Sequence, residues 1–83
     1  MNKVLIELFV PAIGDHFDIF APLDVEVSKL NKIIAHGVEE ITDGRYTASE
    51  NEQLCLKEPY GLLSPSLSLR DYGATDGMQL YLI

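Results

Sequence analysis

Between Val25 and Ile41 the apolar residues recur at helical spacing. Val27, Leu30, Ile34, Val38 and Ile41 share one face with Ile33 beside them, and Ser28, Lys29, Lys32, Glu39 and Glu40 take the wet side. Elsewhere the apolar residues alternate, so the chain has one helix, and that helix needs a sheet to cover its stripe. Pro22 ends the strand before it, Asp24 is the expected N-cap, and Thr42-Asp43-Gly44 is the expected stop, which places the helix over 25–41. Gly37 inside it costs about 1 kcal/mol relative to alanine. A chain of 83 residues makes a single domain, 1–83, that buries about 60–65% of its extended-state surface, so most apolar residues belong to the core.

The strands follow from period two. In the run from Lys3 to Val10, Glu7 is the one internal charge and must face water, taking Leu5 and Phe9 with it, while Val4, Ile6, Leu8 and Val10 face inward. Turn residues at 11–15 lead to a second strand over 16–21, with Phe17 and Ile19 inward and His16, Asp18 and Phe20 outward, so the two form a hairpin. The acidic stretch 43–53 reads as a solvent-exposed connection. A short strand follows at 54–57, with Leu54 and Leu56 inward and Cys55 and Lys57 outward. Leu62-Leu63 pair briefly, Leu67 and Leu69 pack beneath the loop at 64–66, and Asp76-Gly77 turns into the last strand, 78–83. In that strand Met78, Leu80 and Leu82 alternate with Gln79, Tyr81 and Ile83. The fold class is therefore α+β. Pairing the first and last strands in parallel at the centre, with the hairpin and third strand at the edges, gives a mixed four- to five-stranded sheet with one helix packed across one face. This is the β-grasp arrangement.

Charge narrows the partners. Asp and Glu number 13 against 6 Lys and Arg, a net charge of −7. Nucleic-acid backbones and anionic membrane surfaces both call for clustered cations, so neither suits this chain. No apolar run approaches the length of a membrane helix, and Glu7 and Pro11 interrupt what would be a signal peptide after Met1, so no membrane insertion is expected. A single cysteine, Cys55, suits a reducing cytoplasm.

From Leu67 to Ile83 the chain resembles the closing segment of ubiquitin-like proteins, where a Leu-x-Asp-Tyr turn precedes the final strand; Leu69, Asp71 and Tyr72 match it. The form Asp71-Tyr72-Gly73-Ala74-Thr75-Asp76-Gly77, with a strand ending the chain six residues later, resembles the bacterial YukD and EsaB proteins more closely still. Those are accessory components of type VII secretion systems in Gram-positive bacteria. The resemblance implies a cytoplasmic, non-catalytic interaction module. It also implies protein partners: the secretion apparatus, its ATPase or the WXG-type substrates. Tyr72 would anchor its loop through the hydroxyl. Conjugated ubiquitins and sulfur carriers close with a flexible Gly-Gly tail, whereas here no glycine follows Gly77 and Ile83 lies in the last strand. The expectation is docking without covalent transfer. A small ubiquitin-like subunit of a multicomponent oxygenase is the alternative of similar size.

Other chemistry finds less support. His16 and His36 lack the convergent partners of a metal site and read as surface or boundary residues, so no metal or cofactor is expected. Ser64, Ser66 and Ser68 lack a nucleophile-elbow setting, and Cys55 reads as a strand-packing residue whose acidic neighbours Glu52 and Glu58 would raise its pKa. What remains is the face of the sheet opposite the helix. Leu5, Phe9, Phe20, Tyr81 and Ile83 point that way, and Leu5, Phe9, Tyr81 and Ile83 are expected to form a contiguous apolar strip rimmed by charge. Such a surface suits a protein partner with an apolar anchor and basic surroundings, or a homodimer.

Overall fold

Alternation in the first run builds β1 (Lys3–Val10), with Val4, Ile6, Leu8 and Val10 buried and Glu7 exposed. The structure, a computed structural model, describes residues 2–83; Met1, part of the N-terminal stretch considered above, lies outside them. A short 3-10 turn at Pro11–Ile13 closes on Gly14, whose φ of 63° is the left-handed conformation that glycine adopts without a Cβ penalty. It leads into β2 (Asp15–Pro22), which runs antiparallel to β1.

The helix α1 (Val27–Ile41) starts two residues later than the periodicity predicts, and Asp24 does not cap it. Asp24 is taken up by Arg70, whose guanidinium donates Nε to Oδ1 at 2.5 Å and Nη2 to Oδ2 at 3.2 Å. This hydrogen-bonded pair holds the Asp24 carboxyl below its ordinary range. The first helical amides are satisfied by backbone instead. Val27 N–H donates to the Leu67 carbonyl at 2.8 Å and Ser28 N–H to that of Pro65 at 3.1 Å. A distant loop thus does the work of a side-chain cap, which no local sequence signal could announce. At the other end the Thr42 hydroxyl donates to the Val38 carbonyl at 2.7 Å.

Val27, Leu30, Ile34, Ala35 and Val38 form the buried face of α1. Ile33 and Ile41, both expected there, are exposed. Ile33 sits about 100° around the helix from Ile34, and Ile41 is the final helical residue.

β3 (Leu54–Leu56), β4 (Gly61–Leu62) and β5 (Met78–Leu82) complete a five-stranded sheet of order β2-β1-β5-β3-β4. The parallel β1–β5 pair lies at its centre, as the β-grasp arrangement requires. The third strand is not an edge, however; β4, only two residues long, takes that place. The ladder between β3 and β5 extends past both strands, since Gln53 and Ile83 exchange two backbone bonds of 2.9 Å. Leu69 is buried in the core, but Leu67 is exposed.

The stretch 43–53 differs most from its polar reading. Tyr46 is buried in the core cluster, and Thr42 and Glu52 are buried beside it. Ala48 N–H donates to Glu39 Oε1 at 2.8 Å, and Leu54 N–H to Asn31 Oδ1 at 3.2 Å, so the segment is pinned along the helix side of the domain. Glu52 accepts from the Tyr46 hydroxyl at 3.4 Å and from the Ser49 amide. Burial pushes its carboxyl up. The hydrogen bonds from the Ser49 amide, its own amide, the Ser49 hydroxyl and Tyr46 outweigh that push and leave it below the ordinary value. Burial, with the Glu52 charge adding to it, raises the Tyr46 phenol.

Candidate docking face

The pairing register sets the order of side chains on the face opposite the helix. Three rows run across the strands. Leu5 lies opposite Phe20. Two residues further along, Glu7 faces Asp18 on one side and Gln79 on the other. Two further still, His16, Phe9, Tyr81, Cys55 and Leu62 follow one another from β2 to β4. Ile83, half exposed, continues the β5 side of that face.

All five residues singled out from the sequence therefore share the outer face, but they do not form one strip. The Asp18–Glu7–Gln79 row separates Leu5 and Phe20 from Phe9, Tyr81 and Ile83. The same alternation sets Glu7 between Leu5 and Phe9, so the break in the strip is legible in β1 itself. Phe20 is 68% exposed, whereas Leu5, Phe9 and Tyr81 are half-buried.

The reason for that partial burial is an aromatic cluster. Phe9 and Tyr81 meet edge to face with ring centroids 5.7 Å apart, and Tyr60 lies against Tyr81 at 6.1 Å. Tyr60, itself 69% exposed, and Leu62, 58% exposed, were not singled out from the sequence. The Pro59-Tyr60-Gly61 turn reads as a loop, and only the brief β3–β4 pairing carries these side chains onto the sheet. Cys55 takes the outward direction that alternation assigns but is fully buried, enclosed between Tyr81 and Leu62 in its row. Burial pushes its thiol up, with a hydrogen bond to Tyr60 opposing, so it is not a ready nucleophile. The acidic neighbours expected to raise it are not the cause.

Between Phe9, Tyr81, Glu7, Gln79, His16 and Lys57 the face dips into an open concavity of ≈ 370 Å³. The segment 43–53 does not lie over it, being held on the helix side. Among the described residues, no three His, Cys, Asp or Glu side chains converge as metal ligands, and no helix is long and apolar enough to cross a membrane. His16 and His36 are both exposed.

The serines belong to the loop that carries the Leu-x-Asp-Tyr turn. Asp71 Oδ2 accepts from the Ser68 amide at 2.9 Å and its hydroxyl at 3.1 Å, and the Tyr72 hydroxyl accepts from the Ser64 amide at 2.7 Å. Tyr72 thus anchors the loop as the resemblance implies. Because Pro65 and Leu67 of that loop also cap α1, the turn helps set where the helix begins.

No family model and no curated protein sequence matches the chain. Solved structures do match, and they place it in the class of ubiquitin-like β-grasp domains. The ubiquitin-like domain of the Mycobacterium tuberculosis type VII secretion system protein ECCD1 superposes with a TM-score of 0.78 at 17% identity, covering 100% of this chain and 99% of that one. The ubiquitin-like domain of Plasmodium falciparum Dsk2 matches at 0.71 and 25% identity, over 96% and 95% of the two chains. A chain of the MycP5-free ESX-5 inner membrane complex matches at 0.70 and 19%, covering all of this chain but 21% of that one. Identities this low show the fold alone, and the fold is ubiquitin-like.

Proposed function

We propose that this domain is a non-catalytic protein-interaction module that docks through the outer face of its sheet, with Leu5, Phe9, Phe20, Tyr81 and Ile83 as contact residues. The observation carrying this reading is the Phe9–Tyr81–Tyr60 cluster, which stands on the face away from the helix with Leu62 and Ile83 exposed beside it and Phe20 exposed beyond the Glu7–Asp18 row. Exposed aromatic and branched side chains rimmed by charge are the composition of recognition surfaces.

The system we infer is a type VII secretion system, with this chain in the role of the cytoplasmic YukD and EsaB accessory proteins of Gram-positive bacteria. The closing Leu69-x-Asp71-Tyr72 segment and the likeness to the ECCD1 domain support that reading. Docking without covalent transfer is the proposed mode. Ile83 exchanges two backbone bonds with Gln53, so residue 83 is held against the β3 side of the sheet, and this pairing supports the docking mode.

Affinity capture from the native host, with wild type beside Tyr81→Ala, tests the proposal. Secretion apparatus components, the ATPase or WXG-type substrates should be retained by wild type and lost by the variant. A di-iron hydroxylase in their place would assign the domain to an oxygenase instead. Intact mass of the native protein should retain Ile83, and a shorter glycine-terminated species would overturn the non-covalent mode.

A further inference from the structure

The outer face carries a like-charge contact that the domain does not neutralise by itself. Glu7 and Asp18 stand directly opposite each other on β1 and β2, where facing side chains have Cβ atoms about 4.5–5.5 Å apart and like charges are destabilising. Both are exposed. Among the described residues neither forms an ion pair, and the one hydrogen bond given to either carboxylate is from Gln79 Nε2 to Glu7 Oε1 at 3.3 Å. The nearby His16 and Lys57 side chains line the concavity without closing on either carboxylate.

This anionic pair is flanked on both sides. The Leu5–Phe20 row lies on one side of it, and the row that holds His16, Phe9 and Tyr81 lies on the other. At about 3.4 Å per residue, successive rows lie roughly 6.8 Å apart. An extended peptide repeats its same-face side chains at that interval, and a helix repeats i and i+4 at about 6 Å.

Building on the proposed docking face, we infer that its ligand is a protein segment presenting apolar, basic and apolar side chains in that order. The basic group seats between Glu7 and Asp18, and its neighbours pack on Phe9–Tyr81 and on Leu5–Phe20. A Lys or Arg placed there turns the cross-strand repulsion into attraction on binding, and the chain's net charge of −7 steers such a segment inward from a distance. A second copy of this chain is the poorer occupant, since it brings the same carboxylates to the same face.

The test is panning of phage-displayed random 12-residue peptides against the intact chain, followed by affinity measurement of the enriched peptides. They should carry Lys or Arg with an apolar residue two positions to either side in an extended segment, or four positions to either side in a helical one. Their affinity should fall at least tenfold against the double variant Glu7→Gln/Asp18→Asn and against Tyr81→Ala, and should weaken with added NaCl. Unliganded Glu7→Gln should melt about 1–4 °C higher than wild type, which reads the relieved repulsion and shows that the variant folds.

If enriched peptides lose affinity for Tyr81→Ala but bind the double variant like wild type, the docking face stands and the cation seat is overturned. If both variants bind unchanged, or no peptide is enriched, the docking face itself falls and this inference with it. A concentration-dependent dimer broken by Tyr81→Ala gives the face to a second copy and also overturns the inference.

Discussion

Leu80 and Tyr81 are consecutive residues of β5, and the two faces of the sheet give them opposite surroundings. Leu80 is in register with Leu8 of β1 and Leu56 of β3 and is closed under α1. Tyr81 is in register with Phe9 and Cys55 and is half-buried. The inner face is continuous and apolar, as a core of close-packed side chains demands. The outer face is striped: apolar, anionic, apolar. The facing Glu7–Asp18 pair opposes folding, and the stripe it forms supports the docking role proposed for this face.

The contrast breaks first at Leu80→Ala. A buried large-to-small change of this kind costs about 2–5 kcal/mol, readable as a fall in the urea midpoint, and a cost under about 1 kcal/mol would mean the inner face is not the core. Tyr81→Ala removes one edge-to-face partner and half a buried ring, so about 1–2 kcal/mol is expected, together with loss of the captured partner. Equal destabilisation by the two substitutions would erase the distinction between the faces.

How far the sequence foretells these faces depends on what kind of interaction sets each feature. Period two places every outward and inward residue of β1, β2 and β5 correctly, because side-chain direction in a strand is local. The parallel pairing of β1 with β5 is the one expected of these strands in the β-grasp arrangement. The loop of Leu69, Asp71 and Tyr72 is legible through resemblance to ubiquitin-like proteins. Non-local events are what escape. Asp24 looks like a cap, yet Arg70, 46 positions away, claims its carboxylate, and carbonyls of the loop at 64–68 take over the capping. Tyr46 is a lone aromatic in a polar stretch, with no period to announce that it enters the core. Tyr60 and Leu62 reach the outer face through a strand of two residues, too short to carry a pattern.

Glu52, unlike the exposed carboxylates of the outer face, is buried on the helix side. Its folded carboxyl ionises below the ordinary value of 4.5, so the ionised form is favoured by folding. Its contribution is therefore fully present above about pH 4.5 and is lost as the pH falls through the folded value. Glu52→Gln should lower the urea midpoint at pH 7, and the gap to wild type should close on acidification below pH 4.5. A gap that holds constant down to pH 3 would show that the Ser49 and Tyr46 hydrogen bonds do not favour the charged form. The outer carboxylates Glu7 and Asp18 have no such set of donors, and Glu7→Gln removes repulsion where Glu52→Gln removes support.

The smallest effect is expected at Phe20. Its ring is 68% exposed in the folded chain, so truncation takes little additional apolar surface away from the folded state relative to the unfolded one. Phe20→Ser should therefore change stability by no more than about 0.5 kcal/mol, the range of ordinary surface substitutions, while weakening any ligand that packs on the Leu5–Phe20 row. A loss above about 1 kcal/mol would mean that the Leu5–Phe20 contact is part of the fold. In that case the apolar flank on the hairpin side of the Glu7–Asp18 pair belongs to the domain's own packing. An unchanged stability with lost peptide affinity gives the opposite result: a large aromatic side chain held in water, next to an unneutralised pair of carboxylates, that matters only once a partner arrives.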